Sequence, residues 1–390
     1  MDCNTCLKYL GIYDINMKLL LLLFYLPLIS CFKVVIVGSG PVGKLASISL
    51  AKKGFEVSIF EKSSEPPEEK RSFNFILSKR GIGVLNKYDI DLKDGVNVKN
   101  IVSHSPYMKF KSPESISIDR NDLLFSLNKK VKELNIDTKI SKFKMSDFNK
   151  KIAYFSHGNE KYDLLIGADG SNSEVRRQLS SFYPNEMKIS EEKDTKLYKT
   201  IKLDSSSIRN MEGYDYDWDD SFHTWKNKNN DIICPPTKEK GLSGVFVSSN
   251  GIFNLDEFHL IYPFMRSEDI DNFESQDYMI QKTVISSCIG LHSTLLLGDS
   301  CHTMLASLGQ GINSGLEDVI IMENCIKYGI NKISENYNRL RLDDAKAVCN
   351  LSKNAFGGKS DRTNRGNSSN VLKYIGDPCI SYSEIYKMCN

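Results

Sequence analysis

The chain has 390 residues, with 51 lysines and arginines against 49 aspartates and glutamates, and a formal net charge of +2. That length has room for more than one core, and so nearly balanced a charge argues against nucleic acid, or an anionic membrane surface, as a partner of the chain as a whole. The ten cysteines are scattered, with no recurring metal-ligand spacing and none of the density of a disulfide scaffold, so no metal site is expected.

In chain order, the first feature is an apolar run over residues 19–29, preceded by Met17-Lys18 and followed by the small pair Ser30-Cys31. It is shorter than the roughly 18 apolar residues of a spanning helix. It reads equally as a signal-peptide core or an uncleaved membrane anchor, with a mispredicted start as a further alternative. Residues 1–31 are therefore set apart as an extension, and membrane association or the secretory pathway is the expectation for them. Residues 34–37 are apolar and β-branched, as in a strand buried on both faces. A glycine-rich turn, a helix over 44–53 and a strand over 57–60 complete a βαβ unit. Helical periodicity returns over 121–134, and residues 164–166 and 295–297 read as further buried strands. Between 185 and 285 short apolar or alternating runs (197–203, 244–248, 258–264) lie among polar turns, which predicts an inserted antiparallel sheet. Helices are expected over 311–328 and 336–352, and the polar stretch from 357 onwards as a poorly ordered tail. The implied division is 32–184 and 286–356 for a nucleotide-binding domain, 185–285 for a substrate domain and 357–390 for the tail.

The chemistry concentrates in three short motifs. Gly38-x-Gly40-Pro41-Val42-Gly43 follows a strand and opens a helix, where glycines let backbone amides approach a pyrophosphate. Glu61 stands 18 residues after Gly43 at the end of the next strand, placed to bind ribose hydroxyls and to disfavour a 2′-phosphate, so FAD or NAD fits this loop better than NADP. Asp169-Gly170 ends the strand over 164–166. Gly298-Asp299 ends the strand over 295–297 and is followed by Gly309-Gln310-Gly311-Ile312-Asn313 at a helix start.

In this order the three motifs resemble those of the single-component FAD-dependent aromatic hydroxylases. The resemblance implies an α/β fold with an α+β insert: a Rossmann-like FAD-binding domain carrying an inserted antiparallel-sheet substrate domain, as in p-hydroxybenzoate hydroxylase. It implies that Asp169-Gly170 serves FAD and the reduced nicotinamide, that Asp299 contacts the ribityl chain, and that the amides after Gly309 face the flavin pyrimidine edge. Arg120 matches the arginine that family members place near FAD. Stretches 71–90, 222–236 and 337–352 are most similar to the branch that hydroxylates L-kynurenine to 3-hydroxykynurenine. That implies bound FAD, NADPH and O2 as co-substrates, and oxygen transfer through a flavin C4a-hydroperoxide, with no catalytic acid or base certain among the side chains.

The family holds the substrate carboxylate with an arginine and a tyrosine. The comparable stretch here reads NVKNIVSHSPYMKF, without arginine. Lys99 or Lys109 as the cation and Tyr107 as the phenol are the substitutes considered, a lysine losing the bidentate fork. Asn313 matches a substrate-side asparagine, and Phe356 stands where the family has a second tyrosine. His302 is expected to be a packed, hydrogen-bonding residue. Three readings stay open: a kynurenine hydroxylase, a hydroxylase of another aromatic, or a flavin-binding protein without hydroxylase activity. The family also leaves the mitochondrial outer membrane as an alternative destination.

Overall fold

The computed structural model describes residues 32–64, 73–204, 220–249, 251, 262, 265–354 and 371–389. The chain opens with β1 (Lys33–Val37), α1 (Pro41–Ala51), β2 (Glu56–Glu61), β3 (Phe75–Ser78) and α2 (Lys79–Lys87). Next come β4 (Val96–Asn97), β5 (Asn100–His104), β6 (Tyr107–Lys111), β7 (Ser115–Ile118) and α3 (Arg120–Glu133). The middle holds β8 (Asp137–Ile140), β9 (Phe143–Asp147), β10 (Ile152–Phe155), β11 (Gly158–Lys161), β12 (Leu164–Gly167) and α4 (Glu174–Phe182). It continues with β13 (Ile189–Leu203), β14 (Ser221–Lys226), β15 (Asn230–Cys234), β16 (Leu242–Ser248), α5 (Ser267–Glu274) and β17 (Met279–Ser286). The last elements are β18 (Gly290–Leu291), β19 (Thr294–Leu296), β20 (His302–Thr303), α6 (Gly311–Ile326), α7 (Ile333–Asn354) and α8 (Tyr382–Cys389).

β1 forms because Val34 to Val37 are apolar on every side, and the strand is buried on both faces. It pairs in parallel with β2 and β12, within a six-stranded sheet of order β18-β19-β12-β1-β2-β8. Pro41 opens α1, where its missing N–H costs nothing. Asp119 caps α3 by accepting from the Asn121 amide at 2.7 Å. The main core packs Leu45, Ile48, Leu123, Leu127, Leu316 and Val319 against this sheet.

The second layer is an eight-stranded sheet of order β20-β17-β13-β16-β15-β14-β5-β6. Trp225, Ile232, Phe246 and Phe273 form a core on one face. This sheet draws β5 and β6 from within residues 32–184 and β20 from within 286–356, so it reaches beyond the 185–285 segment assigned from sequence. The run at 258–264 falls mostly outside the described residues, as does the apolar segment 17–31. Among the described residues, no helix is long and apolar enough to cross a membrane.

The tail expectation needs correction for residues 371–389. Val371, Ile375, Tyr382 and Ile385 are buried against Leu308, Val348 and Leu351 of the main body. The low-complexity composition of 357–370 hid this, because the apolar anchors lie beyond it.

On the core-side face of the large sheet, His104 Nε2 and His223 Nδ1 meet at 3.0 Å, and the His104 ring stacks on Trp225 with centroids 4.3 Å apart. Burial pushes His104 down to about 4 and His223 to about 3, the latter helped by His104 and Lys109. Because the folded values lie below that of an unfolded histidine, about 6.5, the unfolded chain takes up protons first as pH falls. Stability is therefore complete above about pH 6.5 and declines towards the folded values. The urea midpoint should drop between pH 7 and pH 4.5, and H104Q/H223Q should flatten that slope; an unchanged slope would mean the imidazoles are not responsible.

Candidate active site

The site starts where β1 ends. Gly38 has φ of 105°, and a Cβ on it would lie 2.2 Å from the Ala168 carbonyl oxygen. A Cβ on Gly43 would lie 2.1 Å from the Gly38 carbonyl oxygen. These two positions must therefore be glycine for the first loop, α1 and the end of β12 to close together. Gly40, by contrast, has nothing within 4 Å of its Cβ direction and opens onto a cavity. Glu61 accepts from the Ser39 amide at 2.7 Å, which fixes its carboxylate beside the loop.

Asp169 is spent mainly on structure. Its carboxylate accepts from Ser173 Oγ at 2.6 Å, Glu174 N at 2.8 Å and Val175 N at 3.2 Å, tying the loop to the start of α4. Burial raises its pKa, and these donors oppose the rise. From α4, the Arg176 guanidinium donates to the carbonyls of Ser171, Asp299 and Ser300 at 2.7, 3.3 and 2.9 Å, lashing the second loop to the third. Asp299 lines the cavity and its residue surface is open to it. Desolvation by the surrounding protein pushes the carboxyl up, against the pull of His302, Arg120 and Arg176.

The third loop is held from behind by Asp318 on α6. Its carboxylate accepts from Gly298 N at 2.6 Å, His302 Nε2 at 2.8 Å and Arg341 Nε at 2.7 Å. Burial alone would raise this carboxyl, but His302, Arg341 and the hydrogen bonds hold it below its ordinary value. Cys301, His302 and Asp318 offer ligand atoms within 4.8 Å of one another. Asp318 is already committed to Arg341, so the group reads as a hydrogen-bonded brace.

Gln310 precedes α6, and its Oε1 accepts from Tyr382 OH at 3.1 Å. Asn313 is fully buried: its Oδ1 accepts from Ser78 N at 2.9 Å, and its Nδ2 donates to the carbonyls of Ile76 and Gly309 at 2.8 and 3.0 Å. This is the work of a strut between β3 and the third loop, with no face on the cavity.

One continuous cavity of about 3340 Å³ links these loops. Single ligand sites run to about 1,000 Å³, so there is room here for a dinucleotide and a second molecule. Gly38, Gly40, Pro41, Val42 and Glu61 line one end; Arg120, Asp169, Gly170 and Asp299 the middle; Gly309, Gln310, Gly311 and Ile312 the other end. Gly43 and Gly298 lie behind, packed on Gly38 and Val42 respectively. Arg120 supplies the test of fit. The charges of Asp299, Glu61 and Asp119 act on its half-buried guanidinium, and its buried Nε has no hydrogen-bond partner among the described residues. A buried donor without an acceptor is costly, and a phosphate or ribose oxygen in the cavity satisfies it. The residues therefore fit a flavin dinucleotide.

Beyond the third loop the cavity is walled by the second sheet, through Ile101 and Ser103 of β5, Met108 and Phe110 of β6, and Phe222 and Thr224 of β14. Lys99 and Tyr107 do not line it. Lys99 pairs with Asp220 at 2.6 Å with its side chain 72% exposed, and Tyr107 lies 6.4 Å from the His104 ring, on the face opposite Met108 and Phe110. Phe356 lies outside the described residues. Arg80, Arg176, Asp318, Arg341 and Tyr382, which brace the site, were not singled out from the sequence. Arg80 and Arg341 fall within the similar stretches 71–90 and 337–352, Arg176 follows Asp169-Gly170 and Asp318 follows the third motif, but the sequence alone assigns no bracing role to any of them.

This fold and these loops define an FAD-binding flavoprotein hydroxylase architecture. A solved structure of 2-methyl-3-hydroxypyridine-5-carboxylic acid oxygenase superposes with a TM-score of 0.72 at 18% identity, covering 91% of this chain and 96% of that one. Klebsiella pneumoniae HpxO complexed with FAD and uric acid gives 0.68 at 15% identity over 92% and 96% of the two chains. Among curated proteins, the chain is similar to kynurenine 3-monooxygenase of Phaeosphaeria nodorum, with 28% identity over 82% of this chain and 76% of that protein. The enzymes of the same name from Saccharomyces cerevisiae (26%, covering 83% and 80%) and Flavobacterium johnsoniae (27%, covering 85% and 81%) match comparably. No protein-family profile matches the chain.

Arg120→Met should weaken FAD binding about 10- to 100-fold, the range of one charge-assisted hydrogen bond, as read by quenching of flavin fluorescence. Lys99→Met and Tyr107→Phe should each leave FAD affinity and substrate KM within about twofold, as expected of surface changes. A large rise in KM for either would restore the carboxylate role considered from the sequence.

Proposed function

We propose that this chain is an FAD-dependent, NADPH-consuming monooxygenase that inserts one atom of O2 into an aromatic ring, converting L-kynurenine to 3-hydroxykynurenine. The observation that carries the reading is the convergence of three loops on one cavity that continues onto the face of a second sheet. The similarity to kynurenine 3-monooxygenases along most of the chain supports the substrate.

Bound FAD supplies the redox and oxygen-transfer chemistry. The protein's residues bind, orient and exclude water. Glu61, the first glycine loop and Arg120 take the adenosine and pyrophosphate end, and Asp299 takes the ribityl hydroxyls. Gly311 begins α6, so the N-terminal end of that helix dipole points at the cavity. There it would favour negative charge on a bound flavin. The apolar wall of Ile101, Met108, Phe110 and Phe222 receives an aromatic ring and keeps the reacting region dry. No side chain is required to act as acid or base. NADPH approaches transiently and needs no second glycine loop.

A second reading has one observation in its favour. The stretch that carries the family's carboxylate grip presents only uncharged side chains to this cavity, as Ile101, Ser103, Met108 and Phe110. An aromatic without an amino-acid group suits that wall. Lys226 and Asp231, cross-strand partners that also line the cavity, are the charged groups a zwitterionic substrate meets on β14 and β15.

The test is NADPH oxidation by FAD-loaded protein with and without L-kynurenine, with product mass from the same reaction. Stimulation and a product heavier by one oxygen are expected. Stimulation by other aromatics alone would favour the second reading, and bound FAD with no stimulation by any aromatic would leave a flavin-binding protein.

A further inference from the structure

Lys44 immediately follows the last glycine of the first loop and lies in the first turn of α1. It is only 6% exposed. Its side chain bends back over the loop, donates to the Ser39 hydroxyl and lines the cavity near Glu61. Burial lowers its pKa, and the Glu61 charge opposes that. The Glu61 carboxylate is turned to the loop backbone, accepting from the amides of Ser39 at 2.7 Å and Lys62 at 2.8 Å, and forms no ion pair with Lys44. Among the described residues Lys44 forms no ion pair, so a desolvated ammonium is left with one neutral acceptor.

A buried cation is costly unless an anion meets it, and this one faces the space where an anion belongs. The amides at the start of α1 and the helix dipole already favour a phosphate there. We propose that Lys44 is an anion anchor of the cofactor loop, its ammonium donating to a pyrophosphate oxygen of bound FAD. The inference rests on the FAD reading above. Gly38, Gly43 and Lys44 also keep the spacing of nucleoside-triphosphate loops, in which a lysine reaches the phosphates. The hydroxyl residue that binds magnesium in those loops is replaced by Leu45, which leaves a diphosphate within a dinucleotide as the fitting anion.

The anchor has two linked consequences. Without a phosphate, Lys44 is a cost to the fold; with one, it is a gain. Lys44→Met should therefore keep or raise the thermal midpoint of the flavin-free protein while lowering FAD affinity about tenfold or more, the scale of a hydrogen bond to a charged group. It should also shrink the rise in midpoint on adding FAD and reduce the salt dependence of FAD binding. Lys44→Arg, which keeps the charge, should retain most of the affinity. The measurements are FAD fluorescence quenching at two salt concentrations and thermal unfolding with and without FAD, for wild type and both variants. Unchanged FAD affinity in Lys44→Met overturns the anchor, as does a lowered midpoint in its flavin-free form, which would make Lys44 a structural residue. Failure of the wild type itself to bind FAD would instead overturn the cofactor reading.

Discussion

The cofactor side of this molecule depends on one buried carboxylate. Asp318 gathers the Gly298 amide, the His302 ring and the Arg341 guanidinium, so the loop carrying Asp299 is fixed from behind while its front stays open. Arg341 extends the brace to Ser314 and Glu317, and Glu317 passes it on to Arg80 at 2.6 Å. A set of buried charges like this is expensive to assemble and costly to break. Its value here is placement: it removes freedom from backbone that must meet a ligand. The cavity-facing groups can then stay unsatisfied, as Arg120 Nε does, because their neighbours are held by others.

Division of labour among acidic residues follows from the same logic. Asp318 is fully buried, while Asp169 and Asp299 both border the cavity. Asp169 is consumed by the start of α4 and Asp318 by the brace. Asn313 is likewise consumed, between β3 and the third loop. Residues in ligand-binding motifs need not touch a ligand; several shape the backbone that does.

Much of the nucleotide-binding layer was legible in the sequence because its demands are local. Residues 34–37 had to be a doubly buried strand, and Gly38, Gly43 and Glu61 are spaced for one strand–turn–helix–strand unit. The substrate side was less legible for two physical reasons. Facing alternates residue by residue along a strand, so Tyr107 stands opposite the inward-facing Met108 and Phe110, whereas Lys99, in step with Ile101, lies just before β5 and turns away to Asp220. The brace, moreover, joins residues far apart in sequence, and nothing around Arg80, Arg341 or Tyr382 announces its partners. The tail was misjudged because 357–370 looks structureless, although Tyr382 beyond it packs under the flavin-side loop with Arg80 4.2 Å from its ring.

That last contact has a bearing on the order in which the protein folds. Arg80 donates to the Ile380 carbonyl across 300 residues of chain. Closing so long a loop carries an entropic penalty and is slow. The six-stranded sheet, with its nearer neighbours, can form first; the wall beside Gln310 is completed only when the distal segment docks. A flavin that uses this wall would find it complete only after residues 371–389 have docked. Supplying the cofactor during refolding should raise the yield of native molecules more than the speed at which they appear.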